Sequence, residues 1–216
     1  ASLDDGGAEE GRTKAARTQP VSEQLRTEQD VGRLDPQAIA QVREDAWPVI
    51  GNAEELHDAL VVHGFLTLEE APFTEWIDAL VQQRRVTRLG GRLVAAERLH
   101  EMRAIFPEVA PSTDIEPLTS RRPEPESALR EILRSRLDAL GPVTAESLNQ
   151  PLGLQDNAVL TALLQLEAEG AIMRGAFTAP GAAEWCDRRL LARIHRATRD
   201  KLRAEIQPVP PAQFMR

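Results

Sequence analysis

The chain has no tyrosine, one cysteine and few aromatic rings, 4% of 216 residues. Each shortage excludes something. With so few rings there is no platform on which single-stranded bases could stack one after another. One thiol, Cys186, forms neither an internal disulfide nor a multi-thiolate zinc site. With Leu190 and Ile194 at helical spacing beyond it, Cys186 reads as a small buried hydrophobe, and such sparing cysteine use points to the cytoplasm. No apolar run is long enough to cross a bilayer and no signal peptide is expected, so a membrane is not among the expected partners. The sequence opens on Ala1-Ser2 and stops at Phe214-Met215-Arg216, in what reads as mid-element, so a piece of a longer protein is expected.

Hydrophobic residues make up 42% of the chain, enough for a core. The net charge of −8 is unevenly spread. Residues 1–30 carry seven acids against four bases, whereas residues 183–216 carry eight bases against four acids. An acidic total therefore does not exclude nucleic acid, because the positive charge is concentrated at one end. The stretch 183–206 is the longest uninterrupted helix candidate, with Pro180 and Gly181 before it and Pro208, Pro210 and Pro211 after it. On a helical wheel Cys186, Leu190, Leu191, Ile194, Thr198 and Leu202 fall on one side. Arg188, Arg189, Arg193, Arg196, Arg199 and Arg203 fall on the other. Guanidinium groups in a row suit phosphate, since each presents a planar fork of donors. The bland alternative is a solvated face with internal pairs to Glu184 and Asp200.

Residues 1–30 lack a sustained period and read as a mobile tail or a segment detached from its packing partners. Asp35-Pro36 is an N-cap followed by proline at the first helical position, opening a helix to about Ala46 that Pro48 ends. Asn52 with Glu55 caps a second helix, stopped by Gly64. A short extended piece at 65–67 precedes a brief turn through Glu70. Phe73, Trp76, Ile77, Leu80 and Val81 mark a helix over 73–84. Strands at 85–89 and 92–95 meet at Gly90-Gly91, a hairpin signal, and a helix at 97–106 follows. Five prolines in 107–125 mark a linker. After it come a helix at 126–140 closed by Gly141, an extended piece at 142–144, a helix capped by Thr144 through Gln150, and a helix over 155–169 closed by Gly170. Two strands at 171–174 and 176–178 flank Gly175, and the arginine-striped helix completes the order.

The two halves repeat. Leu56, Leu60, Gly64 and Thr67 stand 77 residues before Leu133, Leu137, Gly141 and Thr144, and Ile77, Leu80, Val86 and Arg88 stand 86 before Leu163, Leu166, Ile172 and Arg174. Each copy reads helix, short strand, helix, helix, two-stranded wing. The expected fold is therefore mainly α: a first winged helix at 31–106, a second at 126–180, then the arginine-rich helix and the start of a further module over 181–216. A winged helix that reads DNA sequence places its third helix in the major groove and needs Arg, Lys, Asn or Gln there. The 155–169 helix has no Arg or Lys, and 73–84 gains basic charge only at its end. Sequence-specific readout is therefore not expected. Positive charge lies in the first wing, at Arg84, Arg85, Arg88 and Arg92, and on the final helix. Together these would hold DNA by its backbone, independently of sequence. The alternative is a protein-packing or self-associating module without nucleic acid.

No catalytic constellation stands out. Cys186 and His195 fall on opposite sides of their helix, His57 and His63 point apart, and His100 is isolated. Gly90-Gly91 lacks the Gly-Lys-Ser/Thr of a phosphate-binding loop.

One block is more specific. Glu184-Trp185-Cys186-Asp187-Arg188-Arg189-Leu190-Leu191-Ala192-Arg193-Ile194-His195-Arg196, with Leu202-Arg203-Ala204-Glu205-Ile206, Pro208-Val209 and Phe214-Met215-Arg216, resembles the C-terminal region of the bacterial Lhr-type (large helicase-related) proteins. So do the stretch from Gly32-Arg33-Leu34-Asp35-Pro36 to Leu60 and the run Leu93-Val94-Ala95-Ala96-Glu97-Arg98-Leu99. The resemblance covers about residues 31–216. It implies a superfamily 2 ATP-dependent helicase that translocates on single-stranded DNA in repair, with single-stranded or forked DNA as the expected partner, ATP and magnesium held by motor domains upstream and no cofactor in this piece. It also implies an extension similar in style to winged-helix DNA glycosylases, some members being credited with uracil removal. No catalytic residue of that activity maps onto a position here.

Overall fold

The computed structural model describes residues 34–119, 122–155 and 157–205. The tail expected at 1–30 and the module expected to begin beyond the last helix lie outside them. The described residues form one compact unit, mainly helical with two small antiparallel sheets.

Capping residues define the first half. Helix α1 (Pro36–Ala46) starts where the Asp35 carboxylate accepts from the Gln37 and Ala38 amides at 2.8 and 2.9 Å, and it ends before Pro48. The Asn52 side chain accepts from the Glu55 amide at 2.9 Å and starts α2 (Ala53–His63). Gly64 stops α2 at φ +83°, a conformation that costs glycine little. Strand β1 (Leu66–Thr67) leads into a reciprocal cap: the Glu70 amide donates to Thr67 Oγ1 at 3.2 Å and the Thr67 amide to Glu70 Oε2 at 2.9 Å. Helix α3 (Thr74–Gln82) follows, then β2 (Val86–Leu89) and β3 (Arg92–Ala95) across the two-glycine turn. A 3-10 turn, Ala96–Arg98, enters α4 (Leu99–Ile105).

The second half repeats the order: α5 (Pro125–Leu140), β4 (Val143–Thr144), α6 (Ala145–Asn149), α7 (Ala158–Ala168), β5 (Ile172–Gly175) and β6 (Glu184–Asp187), with α8 (Arg188–Glu205) closing the unit. Both sheets have the hairpin's return strand in the middle, β1-β3-β2 and β4-β6-β5. The repeat extends to single hydrogen bonds. The Arg85 amide donates to Leu80 O and the Ala96 amide to Arg85 O, at 3.0 and 2.9 Å. Eighty-six residues on, the Ala171 amide donates to Leu166 O at 3.0 Å; the bond matching that of Ala96 is made by the Arg188 amide to Ala171 O at 3.1 Å, beyond the longer hairpin loop. The left-handed residue ending the third helix is Gly170 (φ +74°) in one half and Arg84 (φ +58°) in the other.

Four expectations are corrected. The second hairpin does not turn at Gly175. Its return strand is β6, drawn from the first residues of the expected helix, and eight residues (176–183) separate the strands. Trp185 and Cys186 are buried on a sheet, not on a helix, and α8 starts at Arg188, capped by the Asp187 carboxylate on the Arg189 and Leu190 amides at 2.8 and 2.9 Å. Leu202, assigned to the apolar face, is 50% exposed. The proline-rich stretch 107–125 is not a spacer between separate domains: Pro111 bridges Leu89, Ile115 is buried, and one core runs from Phe65, Leu89 and Val94 to Leu133, Leu163 and Trp185. Proline is tolerated against a sheet edge because its missing N–H is not needed there.

Arginines fasten the halves together. Arg136 on α5 is buried, donates to Phe65 O at 3.2 Å, pairs with Glu70 and stacks 4.8 Å from the Phe65 ring. Arg98 donates to Ser135 Oγ at 2.9 Å.

Candidate nucleic-acid interface

Helix α8 lies along α1 in the opposite direction. Leu190, Leu191 and Ile194 pack with Leu34, Ile39 and Val42. At the far end the Asp35 amide donates to Thr198 Oγ1 at 3.2 Å, and Lys201 Nζ donates to Asp35 Oδ2 and Gln37 Oε1, both at 2.8 Å. The Lys201 hydrogen bond holds the Asp35 carboxyl below the usual range, helped by the Ala38 amide. Burying this side leaves Arg188, Arg189, Arg193, Arg196, Arg199 and Arg203 toward the other, as the helical period requires.

The six are not equally free. Arg189 faces Asp138, whose carboxyl is raised by burial and by Asp187 and lowered by Arg189 and Arg134. Arg193 stands 3.9 Å from Asp45, a loose and solvent-screened pair. Arg196, Arg199 and Arg203 have no hydrogen bond or ion pair among the described residues, and His195 is exposed on the same helix. Over 15 residues at about 1.5 Å each, the stripe from Arg189 to Arg203 spans about 20 Å, the reach of several backbone phosphates.

The first hairpin supplies less charge than its four arginines suggest. Arg85 makes a two-pronged pair with Glu54 at 2.6 and 2.8 Å, which raises the guanidinium and lowers the carboxyl. Arg88 pairs with Asp78 at 3.0 Å. Arg92 is half-buried. It donates to Pro151 O and Leu152 O at 2.8 and 2.5 Å, with its guanidinium 4.1 Å from the Phe106 ring, and burial lowers its pKa. It is a bridge between halves, not a free cation. Arg84 alone of the four is exposed without a partner among the described residues, and it holds the left-handed backbone noted above.

The third helices present little for base readout. The exposed side of α7 includes Asn157, Thr161 and Leu164. Glu169, which would repel phosphate, is answered by Arg134 and Arg130 from α5. Sequence reading missed those two pairs, which join residues 35 or more apart. It also missed exposed Arg43, whose stem covers Gly141 so closely that a Cβ there would meet Arg43 Cγ at 2.9 Å.

Burial first, then Asp187 and Glu184, push the Cys186 thiol up to about 12, so it stays protonated. His57 sits 3.3 Å from Glu97, and His63 is buried against the Trp47 ring at 5.6 Å. No three His, Cys, Asp or Glu side chains converge to hold an ion among these residues, and no helix among them is long and apolar enough to cross a membrane. No family model matches the chain, and no curated protein matches it in sequence.

Proposed function

We propose that residues 34–205 are a tandem winged-helix region from the C-terminal extension of an Lhr-type ATP-dependent DNA repair helicase, holding DNA by its backbone through α8. The winged-helix reading is supported by the twice-used order of helix, strand, helix or turn, helix and hairpin, with the hairpin's second strand central in each sheet. The helicase reading is supported by the sequence blocks at 32–60, 93–99 and 184–216. The observation that carries DNA contact is the row of Arg196, Arg199 and Arg203, unpartnered among the described residues, on the solvent side of a helix fixed by its other face. Backbone contact of this kind does not discriminate sequence. ATP and magnesium belong to motor domains of the parent protein on this reading. The test is binding of the chain to a labelled single-strand/duplex fork, with Arg196, Arg199 and Arg203 changed to Glu in parallel. Binding lost in the variant supports the proposal, and no binding at low salt sinks it.

A second reading, a protein-packing or self-associating module, is favoured by the neutral exposed side of α7, with Leu164 45% exposed. Weak or absent DNA binding together with concentration-dependent mass would select it. Uracil excision, the third expectation, is tested by placing deoxyuracil in the same fork.

A further inference from the structure

The two sheets repeat each other in register but differ at one edge. In the first, the outer edge of β2 is covered by the chain itself. The Arg88 amide donates to Ser112 Oγ at 3.1 Å, the Ser112 amide returns a bond to Arg88 O at 2.8 Å, and the Thr113 amide donates to Thr87 Oγ1 at 3.2 Å. Pro111, just before, bridges Leu89. In an antiparallel ladder residues alternate between bonding inward and outward. The bond between Ala96 and Arg85 sets that phase, so Arg88 points outward.

The bond between Arg188 and Ala171 sets the same phase in the second sheet. Met173 and Gly175 then bond to β6, and the amides and carbonyls of Ile172 and Arg174 point outward. Among the described residues β5 has no strand on that side, and both Met173 and Arg174 are exposed. The counterpart of Asp78, which answers Arg88 in the first half, is Leu164, 86 residues on and also exposed. Arg174 therefore has no carboxylate from its own third helix and rests 5.9 Å from the Trp185 ring.

We infer that the β5 edge is a strand-addition site for an extended segment of a partner polypeptide, built as Pro111-Ser112-Thr113-Asp114 is. Such a segment supplies a hydroxyl residue opposite Arg174, a preceding proline, an acidic side chain for the Arg174 guanidinium and an apolar one for Leu164. Open edges of this kind recruit peptides through main-chain bonds, while side chains set the choice. The inference does not depend on DNA binding.

The probe is a labelled synthetic peptide copying residues 107–116, added in trans to the whole chain. Binding is followed by anisotropy, and the β5 amides by hydrogen exchange. Expected are fast exchange of the Arg174 amide in the free chain, slow exchange of the Arg88 amide, and protection of Ile172 and Arg174 on adding peptide. Arg174→Pro removes the outward donor without touching a bond to β6, and weakens binding by about tenfold, as does a peptide carrying Ser112→Ala with N-methylation there. Arg174→Glu keeps the backbone and must also weaken binding if the proline variant fails to fold. Arg174 already as protected as Arg88, no peptide-induced protection of β5, or protection that rises with chain concentration alone (pairing with a second copy) would each overturn the inference.

Discussion

Reversing Arg196, Arg199 and Arg203 to Glu tests the role of α8 through the salt dependence of binding, a quantity that stability does not imitate. Each phosphate neutralised releases about 0.7 counterions from single strands and about 0.9 from duplex. Three contacts therefore give a slope of log K against log salt of about −2 on single strands and about −3 on duplex. Raising salt from about 50 to about 200 mM then weakens binding about 20-fold or about 40-fold from these three alone. If Arg188, Arg189 and Arg193 also reach phosphates, the single-strand slope approaches about −4. The triple variant should lose the three-contact share of the slope as well as affinity. Its fold should persist, because none of the three side chains has a partner among the described residues. Arg85→Gln is the control: Arg85 is already bound to Glu54, so the slope should not change. Fluorescence anisotropy on a labelled fork across a salt series measures all of this. Parallel slopes in the parent chain and the triple variant would refute the role given to α8, whatever their affinities.

Three further predictions concern the scaffold. Arg136→Ala leaves Glu70 and Phe65 O without their buried partner and should cost about 3 kcal/mol in urea unfolding, with one cooperative transition for both halves; two transitions would contradict the shared core. Arg84→Gly removes a left-handed arginine, which costs about 1–2 kcal/mol, against about 0.5–1 kcal/mol of added chain entropy for glycine. A neutral to slightly higher melting temperature is expected, and a clear loss would show that the Arg84 side chain is structural. Burial holds the His63 pKa below its ordinary value, as does Arg136, against a backbone bond to Ser135 and the charge of Glu70. The unfolded chain therefore takes up this proton first. His63 stabilises fully above the ordinary imidazole range and loses that contribution as pH falls through about 6.5. His63→Gln should flatten this region of a urea-midpoint profile between about pH 8 and pH 5, and an unchanged profile would refute the assignment.

Local chemistry was legible in the sequence wherever it acts over three or four residues. Asp35, Asn52, Thr67 and Thr144 cap as their spacing requires, and Gly64 and Gly141 stop helices at positive φ. The repeat was readable because the same apolar and glycine positions serve the same turns. The second hairpin was not readable from periodicity. β6 is only four residues long and runs straight into α8, so Trp185 and Cys186 fit a helical wheel as well as a strand. The one local signal was Asp187, an N-cap residue immediately before the arginines lengthen into a stripe. For the candidate site, the exposure of the α8 arginines followed from the 3.6-residue period. The fate of Arg92 did not, because its acceptors are backbone carbonyls 59 and 60 residues away.

Arginines stand in two kinds of setting in this chain, and burial separates them. Arg92, Arg98 and Arg136 sit at the seam between halves, where a guanidinium fork meets carbonyls, a hydroxyl and a carboxylate that aliphatic side chains would leave unanswered. Arg196, Arg199 and Arg203 sit where no described residue answers them. Counting arginines treats these sets alike and places a DNA surface on the first hairpin as readily as on α8. Of the first-hairpin and α8 arginines, removing those with a partner leaves Arg84 and most of the α8 stripe among the described residues. Because β6 runs without a break into α8, the open β5 edge lies one strand spacing, about 4.8 Å, from the strand that anchors the arginine helix. A segment added to β5 would thus extend the sheet on which α8 is mounted.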